Sequence, residues 1–263
     1  MVRRILLIFM TGAALAACGC GSSDDDGAGS GGDSAARDAG ATAGHGKKTL
    51  PQGSEPVDLD PGKFTTRIDN PYWPMTPGTR WVYRGAEGGG NQRIEVTVTN
   101  KTKKVDGVTA RVVRDVVSED GKLVELTQDW YAQDTAGNVW YMGEDTAEYD
   151  ENGKVATRAG SWESGVDGAE AGIIMPGAPR PGLSYRQEYY EGEAEDAGRV
   201  LRLDATTKVP YGTFRNALET ADTTPLEPKV LEHKYYARGV GPVLKVGVHG
   251  GGREELLSLR RPG

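Results

Sequence analysis

Polar and apolar residues alternate with a period of two along much of the chain. From Thr79 to Gly85, Trp81 and Tyr83 share one face, while Arg80, Val82 and Arg84 share the other. From Gln92 to Asn100, Ile94, Val96 and Val98 oppose Arg93, Glu95, Thr97 and Thr99. This spacing marks strands that bury one face. Further strands are predicted at Val108 to Val117, Leu123 to Gln133, Val139 to Met142, Tyr149 with Val155 to Thr157, Ser184 to Glu191 and Arg199 to Val209. They continue at Gly212 to Ala221, Val230 to Ala237, Val243 to Val248 and Glu254 to Leu259. On the strand at Leu123 to Gln133, Val124, Leu126, Trp130 and Ala132 form the apolar face.

Turn chemistry separates these segments. Asp106-Gly107 and Asp120-Gly121 are strong hairpin signals, and Glu87 to Asn91, Thr135 to Asn138 and Glu151 to Lys154 also read as turns. No long helical stripe is present; Val166 to Ile174 alone suggests a short helical turn or an irregular plug. The expected fold is mainly β, an antiparallel meander of roughly twelve strands that curves into an open or closed barrel, because closure or strong curvature removes exposed edges. A two-layer β-sandwich is the alternative.

The amino end follows a different pattern. Met1 to Arg4 is basic, Ile5 to Ala14 is apolar, and Leu15-Ala16-Ala17-Cys18 closes the run with small residues before a cysteine. This is the layout of a secretory signal. The last four residues resemble the lipobox of bacterial lipoproteins. The resemblance implies cleavage before Cys18, lipidation of Cys18 by a diacylglycerol with chains such as palmitate, and a membrane as the first partner. Gly19 resembles the sorting position of outer-membrane lipoproteins, which places the protein in the cell envelope, at the outer membrane if the source is Gram-negative. Residues 1–17 are then a signal peptide, 18–50 a lipidated cysteine with a Gly-, Ser- and Asp-rich linker, and 51–263 one extracytoplasmic domain. With Cys18 lipidated, Cys20 has no second cysteine to pair with inside the chain.

This division changes the meaning of the composition. A hydrophobic fraction of 37% looks low, yet much of the polar excess belongs to the linker. A formal net charge of -7 argues against a nucleic-acid partner.

The most distinctive local sequence is Asn70-Pro71-Tyr72-Trp73-Pro74 with Pro77-Gly78-Thr79-Arg80-Trp81. It reads as a plug at the start of the sheet, with a ligand-lining lip as the alternative. It resembles the start of a group of uncharacterised bacterial secreted proteins, and Tyr235 to Val243 resembles a Gly-Val-Gly hairpin near the end of similar β-rich envelope proteins. These resemblances imply a shared fold and supply no catalytic motif.

Candidate chemistry is sparse. Gly239, Gly241 and Gly250 to Gly252 precede strands, not the helix that a phosphate loop needs. His233 shares a face with Leu231 and Tyr235, which predicts an inward core histidine, and His249 lies on the opposite face. Asp129, Asp134, Glu144, Asp145, Glu148, Asp150 and Glu151 crowd one stretch, but no calcium-loop spacing is present, and acidic hairpin ends are ordinarily solvated. Gly160 to Gly165 is not a serine-nucleophile motif, and Met175 reads as core. No catalytic residue, metal ligand or cofactor is assigned.

The leading expectation is a non-catalytic, lipid-anchored binding or carrier module for an apolar or amphipathic small molecule or lipid, with Trp73, Trp81, Trp130, Trp140, Tyr185 and Tyr235 as candidate lining residues. A structural or protein-interaction role in the envelope, with an unidentified protein partner, is the alternative. A hydrolase ranks third.

Overall fold

The computed structural model describes residues 49–87, 90–250 and 252–263. The expected signal peptide, Cys18, Cys20 and nearly all of the linker lie outside the described residues, as does the centre of the turn at residues 88–89.

The described chain is almost entirely β. A short 3₁₀ turn at Pro61–Lys63 is followed by β1 (Phe64–Thr65), β2 (Arg80–Glu87), β3 (Gly90–Val105), β4 (Val108–Glu119), β5 (Lys122–Asp134) and β6 (Val139–Tyr149). Next come β7 (Val155–Thr157), β8 (Trp162–Glu163), β9 (Glu170–Met175), β10 (Ser184–Arg186) and β11 (Glu188–Tyr189). The chain ends with β12 (Ala197–Val209), β13 (Gly212–Thr223), β14 (Leu231–Ala237), β15 (Gly241–Gly247) and β16 (Arg253–Arg260). Both Asp-Gly turns have the paired positive φ that a type I′ hairpin requires: 46° and 78° at Asp106 and Gly107, 50° and 80° at Asp120 and Gly121.

The strands follow the order β10-β12-β13-β14-β15-β16-β2-β3-β4-β5-β6-β9-β11. This antiparallel sheet of 13 strands forms a nearly closed barrel with one unsealed seam. Barrel, not sandwich, is therefore the architecture. The two ends of the sheet are consecutive in the chain, because only Gln187 separates β10 from β11. One extended stretch thus leaves β12 and joins β9 across the seam. Gly172 permits this approach, since a Cβ there would lie 2.3 Å from the Gln187 carbonyl oxygen.

Arg186 pins the seam. Its backbone N–H donates to Pro51 O (2.7 Å), Nη1 donates to Gly53 O (2.8 Å) and Glu55 O (2.7 Å), and Nη2 donates to Ala171 O (2.8 Å). Residues 51–55 therefore form a strap across the gap.

Two apolar clusters share the strands. The larger one fills the barrel, where Trp73 packs between Tyr131 (centroids 6.1 Å apart) and Tyr236 (5.6 Å). Tyr131 stacks on Tyr141 at 4.9 Å, and Tyr141 meets the edge of Trp162 at 5.3 Å. The smaller cluster joins Val105, Val108, Ala110, Val112, Trp130, Ala132, Met142 and Ala171, with Val57, Leu59, Phe64 and Trp140 packed on it. On β5 and β6 the two clusters use opposite faces of the strands.

The segment expected as a helical turn or plug, Val166 to Ile174, instead contributes most of β9. Ile173, Ile174 and Met175 belong to the larger cluster and Ala171 to the smaller. A strand covered on both faces carries no alternation, which explains the misreading.

Candidate functional site

The segment Asn70 to Pro74 folds inward. The Asn70 carbonyl oxygen accepts from Trp73 N (3.1 Å), and its side-chain amide donates to Gly137 O (2.9 Å) and Pro176 O (3.1 Å). Tyr72 and Trp73 are 2% and 3% exposed, so this segment plugs the barrel.

It also meets the other distinctive sequence. Gly239 N donates to Pro71 O (2.7 Å), and Arg238 stacks over the Tyr72 ring at 4.5 Å. The Trp81 indole N–H donates to Val240 O (2.7 Å), and Arg261 donates to Gly239 O (2.5 Å). Segments more than 150 residues apart in sequence thus build one corner of the barrel. A cleft of about 260 Å³ opens there, lined by Pro74, Trp81, Val240, Leu259, Arg261 and Pro262 among others. Its wall is apolar and its charge is a guanidinium. The Gly239 turn is a tight hairpin between β14 and β15, with Val240 N donating to Ala237 O (3.0 Å).

The six aromatic candidates do not line one space. Trp73, Trp81 and Tyr185 belong to the larger cluster, while Trp130 lies in the smaller and Trp140 is half-buried against both. Tyr235 is half-buried on the outer face of β14, where its hydroxyl donates to Glu219 (2.9 Å). Of the six, Trp81 lines the apolar cleft.

The barrel interior is more polar than the sequence pattern implies. On β14 the buried residues are Glu232, Lys234, Tyr236 and Ala237, while Leu231, His233 and Tyr235 are only partly buried. His233 is therefore not an inward core histidine. Its Nδ1 lies 2.9 Å from Glu219 Oε1, and Arg202 pairs with the same carboxylate. The inward polar residues are held by neighbouring strands. Lys234 pairs with Asp222 at 2.9 Å, and Lys245 pairs with Glu254 and, at 3.7 Å, with Glu232. Burial pulls Lys234 down, but Asp222 and Glu232 outweigh it and leave the ammonium above its ordinary value.

The same interior takes two members of the acidic stretch that the sequence placed in solvent. Asp129 and Glu144 are 1% and 3% exposed and face each other across β5 and β6. Tyr141 OH donates to Asp129 Oδ1 at 2.8 Å. Hydroxyl donors make such burial tolerable, and the tyrosines that provide them carry the apolar area of the core.

With Asp115, Glu125 and Glu254, these groups form an acid-rich inner wall. Burial first, then Asp129, raises Asp115 to about 7; burial first, then Asp115, raises Glu125 to about 8. Glu254 rises through burial despite Lys245 beside it. At neutral pH the wall therefore holds protons. Among the described residues, no three His, Cys, Asp or Glu side chains converge as a metal ion would need. Period-two reading passed over Asp115, Glu125, Lys234, Lys245 and Glu254, since each is charged. The available signal was their position in phase with Tyr83, Tyr131 and Tyr236 on paired strands.

No known protein family matches this chain, and no curated protein is similar to it. Among solved structures, the chain is similar to a protein described as a putative lipoprotein from Parabacteroides distasonis, at 14% identity and a TM-score of 0.40, with 72% of this chain and 98% of that chain covered. A likeness that distant leaves the function to be argued from this chain's own residues.

Proposed function

We propose that this protein is a lipid-anchored component of the bacterial envelope, tethered through Cys18, whose barrel serves as a non-catalytic binding module for a small amphipathic acid. The anchor rests on the order of basic, apolar and lipobox residues in 1–18. Two or three acyl chains hold a protein stably at a membrane, which one chain does not. In a Gram-negative source, Gly19 favours the outer membrane.

The carrying observation is the cleft beside Trp81. Its apolar wall suits a short hydrocarbon body, and Arg261 suits a carboxylate or similar anion at the opening. The carrier reading thereby shifts from the middle of the barrel, where aromatic rings pack against one another, to the corner built by Pro74, Trp81, Val240 and Leu259.

Native mass spectrometry of the full chain purified from its own envelope tests both parts. The expected spectrum shows an acylated Cys18, lost in Cys18→Ala, and a retained small mass, lost in Arg261→Glu. An unacylated Cys18 defeats the anchor, and a bare mass, or one unchanged by Arg261→Glu, defeats the binding reading.

A further inference from the structure

The seam contains a second cleft, and its chemistry is the reverse of the first. It measures about 400 Å³ and is lined by Ser54, Arg186, Glu188, Tyr189, Glu195 and Asp196 among others. Gly53 and Ser54 of the strap form part of its wall.

The charged side chains of this cleft are unequally committed. Arg186 is 2% exposed, and both its terminal nitrogens are spent on the carbonyls of Gly53, Glu55 and Ala171. Glu188 is 1% exposed; Oε2 accepts from the Trp162 indole at 2.8 Å, and Oε1 has no hydrogen-bond partner. Glu195 takes only the N–H of Gly192, at 2.8 Å through Oε1. Asp196 and Glu144 bear electrostatically on Glu188, and Glu55 and Glu170 bear on Arg186. The opposing cations are Arg186, which keeps its charge and whose Nε has no hydrogen-bond partner, and Lys234, whose ammonium already pairs with Asp222 at 2.9 Å.

Three carboxyl groups thus line the cleft against one guanidinium, and Glu188 Oε1 lacks a donor. A bare metal ion is a poor occupant, because no three such side chains converge on a point among the described residues. The fitting cation is larger than an ion and carries its own N–H donors. The ring of Tyr189 offers such a ligand an apolar surface.

We propose that the seam cleft binds a primary-amine ligand, with the ammonium donating to Glu188 Oε1 and with Glu195 and Asp196 as flanking charges. Burial first, then Asp196 and Glu144, holds Glu188 well above the ordinary carboxylate range. The strap closes one side of this site, so the segment that leads back towards the lipid anchor also shapes the ligand pocket.

Isothermal titration of the full-length chain in detergent with n-butylammonium chloride at neutral pH tests the assignment. The expected result is saturable binding, at least about tenfold weaker binding of tetramethylammonium, which has no N–H, and a comparable loss in Glu188→Gln. Glu195→Gln should weaken binding with the fold intact by circular dichroism, and it decides the matter if Glu188→Gln does not fold. The proposal is overturned by absence of saturable n-butylammonium binding, by equal affinity for tetramethylammonium, by calcium chloride binding in its place, or by an unchanged affinity in the folded variants. Arg261→Glu leaves this site untouched, so failure here is distinguishable from failure of the apolar cleft.

Discussion

Trp130 and Tyr131 are chain neighbours that belong to different cores. Tyr131 is fully buried inside the barrel, where it stacks on Tyr141 and packs near Trp73. Trp130 packs on the other side of β5 with Val112, Ala132 and Met142, and Lys103 caps its ring at 3.3 Å. The inner region mixes rings with carboxylates and ammonium groups; the outer one is apolar with a single charged lid. The inner ammonium groups are met by carboxylates from neighbouring strands, while burial holds the inner carboxyls of Asp115 and Glu125 well above the ordinary range. The inside of this barrel is therefore the more polar of the two regions.

The sharpest test compares two aromatic residues. Trp73→Ala opens a cavity among the inner rings and should cost about 3–5 kcal/mol by chemical denaturation. Phe64→Ala, partly buried on the outer patch alone, should cost about 1–2 kcal/mol. Equal losses would remove the distinction between the two regions.

Next comes pH. In the folded chain, burial raises Asp115 and Glu125 to about 7 and about 8, and raises Asp129 and Glu254 as well. In the unfolded chain these groups release their protons near pH 4, about their ordinary values. The folded state binds more protons between those limits, so its stability is fully present below the unfolded values and falls as pH rises through about 7 to 8. Each such group contributes up to about 1.4 kcal/mol per pH unit in that window. Unfolding midpoints should be lower at about pH 8.5 than at about pH 5.5. Asp129→Asn should flatten the dependence, whereas Trp130→Ala should lower the whole curve without changing its slope.

The smallest effect belongs to the outer lid. Lys103→Ala removes both the contact with Trp130 and the ion pair with Glu163 (2.7 Å), and should cost about 0.5–1 kcal/mol. A larger loss would mean that the outer patch depends on charge as strongly as the inner wall does.

Much of the architecture was legible in local pattern. The alternation at Gln92 to Asn100, the Asp-Gly turns and the tight Gly239 hairpin all appear as read, because strand phase and type I′ geometry are local properties. The apolar cleft is half legible: Trp81 and both segments that build it are distinctive in the sequence, but nothing local shows that they touch. On β14 the phase was right and the side was wrong. Glu232 and Lys234 turn inward because Asp222 on β13 and Lys245 on β15 meet them there. The seam was not legible at all, since Arg186 owes its role to carbonyls at residues 53, 55 and 171.

By itself, the chain determined where the long hairpin strands turn, that they form an antiparallel meander, and that residues 1–18 carry the pattern of a lipidation signal. A period of two divides each strand into two faces, but it is symmetric with respect to which face lies inside. Only the closed tertiary structure broke that symmetry, by bringing ammonium groups, carboxylates and tyrosine hydroxyls from different strands within hydrogen-bonding distance. The same closure joined residues 70–74 to the hairpin at Gly239 and drew the strap over Arg186, which created both clefts from segments that are distant in sequence.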